Sequence, residues 1–360
     1  MSAAGAKATV EQVMTDQCDA PAATGLPVTL SIVIKALNEE KNIERAVRSA
    51  LVALDALGKP GEVILADSLS SDRTVDVAAK FPIRIVQLVA PMDRSCGAGA
   101  QLGYQIALGE FIYILDGDME ICPEFLPAAL AELHADPALA GVAGLVEEMH
   151  LENFAFKNRS QRTGTTQADH RLDSLDMGGL YRRDAVAPTG YLTDRNLHAF
   201  EEFDLGARLR VAGWRLCRLA TPSVRHFGHT DDSITLLLRR WRSGYALGHG
   251  ELLRAAIGRP QFWFVLTRLR VFKLQFGMLA AWGLALLLAS VWNLGWLGFV
   301  AILVTGYALA IIAMALRKRS FRGALFSLVS WHVGLAGLVR GFCRLRRTDP
   351  EKPMLFRVLQ

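Results

Sequence analysis

Cysteine is scarce in this 360-residue chain, and none of it forms a recognisable pattern. The five cysteines show neither a CxxC pair nor the spacing of metal ligands, so no disulfide framework is expected. Free thiols of this kind are typical of a reducing compartment. Residues 1–28 lack both a basic start and an apolar core. We therefore expect a mostly disordered leader there rather than a signal peptide.

Acidic residues are slightly outnumbered, since 35 acids face 40 lysines and arginines, which gives a net charge of +5 and a pI near 9.0. Apolar residues make up 51% of the chain and concentrate toward the C-terminus. A basic bias beside long apolar runs indicates the anionic face of a membrane more than nucleic acid. The length allows one large domain or two smaller ones.

The segment Phe111–Glu120 is the central feature of the sequence. Its apolar start predicts a buried strand of a parallel sheet, and the run ends at Asp116-Gly117-Asp118. Two carboxylates one residue apart at a strand's carboxyl end suit a divalent metal that also binds phosphates. A solvated acidic turn is the alternative, because Asp and Gly are ordinary turn residues.

Strand and helix patterns alternate before this segment. Short apolar runs at 30–34, 62–66 and 83–88 are each followed by a turn or a helical pattern, which predicts a parallel, doubly wound α/β sheet. The glycine-rich segment 94–103 is not followed by Gly-Lys-Ser or Gly-Lys-Thr, which excludes a P-loop there. The carboxyl edge of the sheet then gathers the groups that a nucleotide diphosphate needs: Glu39, Asp67, Arg94, Asp116 and Asp118.

Four stretches in order, SIVIKALNEEKNI, ADSLSSDRTVDVA, RSCGAGAQLGYQIALGEFIYILDGDME and EEFDLGARLRVAGWR, resemble the family-two inverting glycosyltransferases of GT-A fold. The resemblance runs from about residue 30 to about residue 242. It implies a nucleotide-sugar donor, a divalent metal (Mg or Mn) and a mostly parallel GT-A sheet. The chain departs from the family at Lys35, where proline is usual, and at Leu69, where glycine is usual, so the conformation of the loop around Leu69 is an open point.

The resemblance also implies roles for individual residues. Asp67 would contact the nucleotide base, Arg94 would lie near base or phosphate, and Asp116 with Asp118 would form the metal-binding DXD motif. The whole set expected at the nucleotide-sugar is Ala36, Asn38, Glu39, Asp67, Arg94, Asp116 and Gly117. His226 is a further metal or diphosphate candidate, although a lone histidine is as often a structural hydrogen-bonder, which is the preferred interpretation for His229.

Residues 199–211 predict an amphipathic helix whose first turn carries Glu201, Glu202 and Asp204. Acids in a first turn can simply stabilise the helix dipole. The alternative is that one of them is the general base that deprotonates the acceptor. The family's Glu-Asp pair falls on Glu201-Glu202, which makes Glu202 the first choice for the base. Adjacent helical residues point about 100° apart, so we expect only one of the two glutamates to face the cleft.

Three further segments are assigned to the acceptor side. Residues 150–176 predict a long loop of the kind that forms lids or acceptor clamps, and Gly178 with Gly179 resembles the family's lining of the sugar and acceptor cleft. Arg240-Trp241 resembles the tail of the QxxRW motif of processive synthases, with Leu237 in place of the glutamine. An Arg-Trp pair could still bind phosphate and stack on a sugar.

Two apolar segments, 274–292 and 294–316, are each long enough to span a bilayer. Both of their outer flanks are basic, which predicts a multi-pass protein of the cytoplasmic membrane with its catalytic domain in the cytoplasm. Residues 323–342 are a third apolar segment with basic residues beyond both ends, so a span and a re-entrant or interfacial placement are weighed equally.

The expected organisation is a leader (1–28), a GT-A catalytic domain (29–255), a basic juxtamembrane linker (256–273), a membrane segment (274–343) and a basic tail (344–360). The function expected is metal-dependent transfer of a sugar from a UDP- or GDP-sugar to a lipid-linked or glycan acceptor, without nucleic acid as a partner. A nucleotidyltransferase with a similar sheet and a non-catalytic membrane scaffold are the two rivals.

Overall fold

A computed structural model describes residues 28–150, 172–176, 178–228, 231–344 and 347–360. The chain divides into two compact units, one formed by Met1–Asp231 with Arg346–Gln360 and the other by Asp232–Leu345. The first unit contains the sheet and the second contains the long apolar helices. The boundary at residue 231 differs from the one expected at 255, because residues 232–255 form helices that pack within the second unit.

The centre of the sheet consists of the four strands that the apolar runs predict. They are parallel, and they are β1 (Leu30–Ala36), β2 (Gly61–Asp67), β3 (Arg84–Leu88) and β4 (Phe111–Asp116). In the register, Ala36 lies opposite Asp67 and Lys35 lies opposite Asp116. The predicted α/β sheet is therefore confirmed, and the carboxyl ends of β1, β2 and β4 meet at one edge.

Five more strands extend this sheet in the described residues. They are β5 (Met119–Ile121), β6 (Leu139–Glu148), β7 (Leu180–Arg182), β8 (Arg215–His226) and β9 (Phe356–Val358), and the order across the sheet is β5-β8-β6-β7-β4-β1-β2-β3-β9. β9 pairs antiparallel with β3. Part of the expected basic tail is therefore an edge strand, and the buried side chains of Met354 and Phe356 join the apolar core beside it.

Helices cover both faces of the sheet. The described helices of this unit are α1 (Ile43–Leu57), α2 (Thr74–Ala78), α3 (Cys96–Ile106), α4 (Phe125–Ala135), α5 (Arg183–Val186) and α6 (Glu201–Val211). α1 buries residues three or four apart, as its pattern predicts. α3 begins at a cap, because the Ser95 side chain accepts a hydrogen bond from the Ala98 amide. A Cβ on Gly99 would lie 3.0 Å from that of Lys35, so α3 packs directly on β1.

The second unit is helical: α7 (Ser233–Arg242), α8 (Gly248–Ala256), α9 (Phe262–Arg268), α10 (Arg270–Val291), α11 (Gly295–Lys318) and α12 (Phe321–Phe342). α10, α11 and α12 are long and apolar enough to cross a membrane. A chain of hydrogen bonds joins them, from Trp282 Nε1 to Tyr307 Oη (2.7 Å) and from Tyr307 Oη to His332 Nε2 (2.8 Å). Polar groups paired in this way tie neighbouring apolar helices together.

The C-terminal part of α12 packs against α8. A Cβ added to Gly250 would lie 2.0 Å from the Leu338 carbonyl oxygen, so the two backbones approach as closely as glycine allows. Beyond the helix, Arg344 Nη1 pairs with Glu251 Oε1 at 2.8 Å. One end of α12 is thus covered by protein, whereas no residue of α11 is buried. Whether α12 crosses the bilayer stays a prediction.

Candidate active site

The loop at the carboxyl end of β2 is built around the buried carboxylate of Asp67. Asp67 is fully buried, and its Oδ2 accepts hydrogen bonds from the Ser70 amide (2.9 Å) and from Gln87 Nε2 (2.8 Å). Its Oδ1 accepts from the Ser70 hydroxyl at 2.5 Å. Asp67 therefore holds the loop that follows β2 in one conformation.

The loop adopts the backbone conformation that glycine favours, although Leu69 occupies the position. Leu69 has a φ of 61°, which a branched residue tolerates only when its surroundings compensate. Arg94 provides this support, because its Nε donates to the Ser68 carbonyl at 2.8 Å and its Nη2 donates to the Leu69 carbonyl. Leu69 thus takes a left-handed conformation like that of a glycine, and Arg94 supports the loop through its backbone.

The loop after β1 joins the loop after β2. The Asn38 amide donates to Ser70 Oγ (2.9 Å), and Asn38 Oδ1 accepts from the Ser71 amide (2.7 Å). Asp72 Oδ1 accepts a hydrogen bond from the Thr74 amide at 3.0 Å, at the first residue of α2. Burial, together with the nearby carboxylates of Asp118 and Asp116, raises the pKa of Glu39 to about 7, against the lowering effect of its hydrogen bond from Asn42.

The acidic turn after β4 holds its two aspartates in different environments. Asp116 Oδ1 lies 3.1 Å from Lys35 Nζ. Asp118 Oδ2 lies 3.2 Å from His226 Nε2, and the other ring nitrogen, Nδ1, lies 2.7 Å from Glu148 Oε2. Burial would lower the pKa of His226, but its hydrogen bonds to Asp118 and Glu148 raise it to about 9.

Few side chains at this edge of the sheet could bind a divalent metal ion. Among the described residues, no three His, Cys, Asp or Glu side chains converge as a metal-ligand group. Asp116 pairs with Lys35 and Asp118 pairs with His226, so the expected metal-binding role of Asp116, Asp118 and His226 stays a prediction. Asp118 and His226 remain adjacent, with Glu148 orienting the imidazole in the manner of an outer-shell carboxylate. Mg²⁺ is commonly bound by one or two carboxylates together with substrate phosphates, so the Asp118 carboxylate fits a metal that arrives with a diphosphate. His226 becomes a ligand only after its Nε2 loses its proton, because its raised pKa keeps the imidazole protonated near neutral pH.

The first turn of α6 brings two of its three acids to the same ammonium group. Lys35 Nζ lies 2.9 Å from Glu201 Oε1 and 3.5 Å from Glu202 Oε1. Both side chains thus bend toward Lys35, and neither glutamate points freely into solvent, as one of them would on opposite sides of the helix. Which of the two faces an acceptor stays a prediction. Asp204 points elsewhere and pairs with Arg208 at 2.9 Å, where both are buried.

The two glutamates differ in exposure. The side chain of Glu201 is 5% exposed and that of Glu202 is 23% exposed. Burial and the Glu201 carboxylate raise the pKa of Glu202 to about 8, although Lys35 opposes this shift. Burial would lower the pKa of Lys35, but Asp116, Glu201 and Glu202 raise it well above its usual value. Glu202 is thus the more accessible carboxylate, and its raised pKa makes it a stronger base than an ordinary glutamate.

The glycines of the site lie where added side chains would be crowded by their neighbours. The Gly117 amide donates to the Lys35 carbonyl at 3.0 Å, and a Cβ there would lie 3.0 Å from Glu39 Cγ. Gly179 accepts from the Ile114 amide at 3.0 Å. Gly178 has a φ of 72°, and its Cβ would lie 3.1 Å from Tyr113 Oη. Ala36, whose carbonyl accepts from the Ser68 amide, lies at the same edge of the sheet.

The other predicted acceptor residues lie in the second unit or outside the described residues. Arg240 and Trp241 are on α7, where the Arg240 guanidinium lies 5.1 Å from the Tyr245 ring and the Trp241 ring lies 5.4 Å from the guanidinium of Arg340. Their role toward a sugar or phosphate stays a prediction. His229 and the loop residues 151–171 fall outside the described residues.

Two residues of the site were not assigned from the sequence. Lys35 is a charged residue at the end of an apolar strand, opposite Asp116. A charge in this position was the only local sign of a role in the site. Glu148 ends β6 and meets His226 only through the pairing of β6 with β8. Nothing local to Glu148 indicated this partner.

Comparison with known proteins bears on the family and the fold of the chain. Residues 31–185 match the family described as Glycosyl transferase family 2, and this part of the chain is therefore a glycosyltransferase family 2 domain. An undecaprenyl-phosphate 4-deoxy-4-formamido-L-arabinose transferase of Pectobacterium carotovorum subsp. carotovorum is 34% identical over 103 residues, which are 27% of this chain and 31% of that protein. The protein of the same description from Edwardsiella ictaluri is 28% identical over 159 residues, which are 42% and 48%. The chain thus spans less than half of the length of these relatives.

A solved structure resembles the chain over nearly its whole length. The mannosyltransferase PcManGT from Pyrobaculum calidifontis, in complex with GDP-Man and Mn²⁺, has a TM-score of 0.57 and 18% sequence identity. The similarity covers 95% of this chain and 96% of that one. At this identity the similarity confirms the GT-A fold.

Proposed function

We propose that this chain is a membrane-anchored inverting glycosyltransferase, which moves a sugar from a UDP- or GDP-sugar to a lipid-linked or glycan acceptor. The main observation behind this proposal is that three features lie together at one edge of the sheet. They are the Asp67 loop, the Asp116-Gly117-Asp118 turn and the acidic start of α6. The family 2 domain supports the same activity.

The donor would lie along the carboxyl ends of β1, β2 and β4. Asp67 is fully buried, so it would not contact the nucleotide base directly. It would instead hold the Ser68–Ser71 loop against the nucleotide base. Asn38 and Arg94 stabilise the same loop from either side. Asp118, together with His226 once its imidazole has lost its proton, would hold a Mg²⁺ or Mn²⁺ ion shared with the diphosphate. Such an ion would supply positive charge to the leaving group. The mannosyltransferase complex contains GDP-Man and Mn²⁺ together, which supports a divalent ion beside the donor here.

Glu202 would act as the general base. It would take the proton of an acceptor hydroxyl while that oxygen attacks the anomeric carbon, and the bond from that carbon to the diphosphate oxygen would break on the opposite face. Attack from the face opposite the leaving group inverts the configuration of the sugar. Glu201, less exposed and closer to Lys35, would remain an ion-pair partner.

The acceptor would be presented by the membrane. Three helices long and apolar enough to span a bilayer support anchoring of the domain, and the relatives named as undecaprenyl-phosphate transferases support a lipid carrier. Anchoring a catalytic domain beside the bilayer gives it access to acceptors that do not leave the membrane.

A donor screen on the full chain tests the function. Purified protein in detergent micelles would be incubated with individual UDP- and GDP-sugars, with Mg²⁺ or Mn²⁺, and with a lipid extract. We expect one donor to protect the protein against thermal unfolding and to yield free nucleoside diphosphate together with a glycosylated lipid. Release of pyrophosphate would instead indicate nucleotidyl transfer. Neither protection nor release with any donor would indicate a scaffold.

The orientation in the membrane has its own test. Basic residues flank the α10–α11 hairpin on both outer sides, so we expect the catalytic unit to face the cytoplasm. A protease added to intact spheroplasts should leave the segment 30–211 uncut, whereas the same protease should cut it after permeabilisation. Cleavage in this segment before permeabilisation would reverse the assigned orientation.

A further inference from the structure

Lys35 occupies a position at which three acidic side chains meet. Its Nζ lies 2.9 Å from Glu201, 3.1 Å from Asp116 and 3.5 Å from Glu202. These acids come from the end of β4 and the start of α6, while Lys35 belongs to β1. A single ammonium group therefore connects three elements of the site.

The surroundings hold the lysine in this direction. Its side chain is 14% exposed, and α3 packs on its stem at Gly99, where a Cβ would lie 3.0 Å from the lysine Cβ. Its carbonyl accepts the amide of Gly117 at 3.0 Å, which links the lysine backbone to the acidic turn. The ammonium group thus has little freedom to leave the carboxylates.

Removal of the charge would leave like charges close together. Glu201, Glu202 and Asp116 would then repel one another with no cation between them. Without Lys35, Glu202 would turn away from Glu201 and Asp116, toward solvent. With Lys35 present, Glu202 is held beside the turn expected to bind the donor, which is where the general base is needed.

We propose that Lys35 is a positioning residue that ties the first turn of α6 to the end of β4 and thereby holds Glu202 over the donor site. This inference rests on the proposed function, because it concerns the base of that reaction. It assigns to the lysine a task on the acceptor side of the reaction rather than in nucleotide binding. Its loss should therefore appear in kcat more than in nucleotide affinity.

Three variants test the assignment. Lys35→Met keeps the length of the side chain and removes its charge, and we expect kcat to fall about 10²-fold with the nucleoside diphosphate Kd changed less than about threefold. Lys35→Arg keeps the charge and should retain more than about a tenth of kcat. Lys59→Met replaces an exposed lysine and should behave as wild type.

The double variant Lys35→Met/Glu201→Gln gives a readout that a purely structural lysine would not produce. Removing one acid restores the formal charge of the wild-type cluster, so we expect kcat about tenfold higher than that of Lys35→Met, whereas Glu201→Gln alone should lower the wild-type rate. Normal kcat in Lys35→Met overturns the assignment, as does a rate in the double variant no higher than in the single one. If Lys35→Met does not fold, a double variant that folds but is inactive overturns it as well. Absence of transfer by the wild-type chain, by contrast, overturns the proposed function itself.

Discussion

Replacing Glu202 by glutamine is expected to lower kcat by about 10²–10⁴-fold while nucleotide affinity stays nearly normal. The amide cannot accept the acceptor's proton, but it preserves the shape of the side chain. Glu202 is also not one of the residues that hold the Asp67 loop, so the donor should bind as before. Single-turnover rates and calorimetric nucleotide titrations would separate the two effects.

The pH dependence of kcat gives an independent check. The base acts in its ionised form, so a pKa of Glu202 near 8 means that the rate should rise with pH through this region. The charged groups facing it are Glu201, Lys35 and Asp116. We expect the rising limb in the wild-type protein and its absence in Glu202→Gln. A limb that persists in the variant would assign it to another group.

Two neighbouring acids provide the controls. Glu201→Gln should cost less than Glu202→Gln, because Glu201 is nearly inaccessible to an acceptor. Asp204→Asn should act on stability, by about 3–5 kcal/mol, since it breaks a buried pair with Arg208. If Glu202→Gln keeps its turnover while Glu201→Gln loses it, the base is Glu201. If all three variants stay active, the base mechanism on α6 must be abandoned.

Asp118→Asn is expected to abolish the metal dependence of donor binding and to lower turnover by about 10²-fold or more. An asparagine oxygen carries no full charge for the ion, and a metal's stabilisation of the leaving group is worth several kcal/mol. The fold should survive, because the turn lies at the sheet edge with the Asp118 side chain 15% exposed. Calorimetric titration of nucleotide with and without Mg²⁺ or Mn²⁺ measures the change.

The acidic residues beside Asp118 make this test specific. Glu120→Gln removes a partly exposed carboxylate that pairs with Arg225 at 3.5 Å, and it should leave the metal effect intact. Glu148→Gln removes the charged partner of the imidazole and should weaken metal binding by about 10–100-fold, as outer-shell changes do. Unchanged metal-dependent turnover in Asp118→Asn would refute the assigned ligand.

The sheet and the placement of its acidic turns followed from local sequence. Apolar, β-branched runs such as Leu30–Ile34 and Ile112–Leu115 need burial on both faces, and their polar endings must then lie at the edge where parallel strands finish. The acids of α6 were likewise located from helical periodicity. These features depend on residues only a few positions apart, which is why a single sequence carries them.

The partners of the site residues came from contacts between distant parts of the chain. Lys35 and Glu201 are separated by 166 positions and His226 and Glu148 by 78, and no local pattern specifies which of many charged residues will meet. The left-handed backbone at Leu69 depends on support from Arg94, and the β9 edge strand depends on an open edge at β3. Local sequence therefore determined the elements and their polar ends, whereas long-range packing determined which charges share the site and that both glutamates of α6 face one lysine.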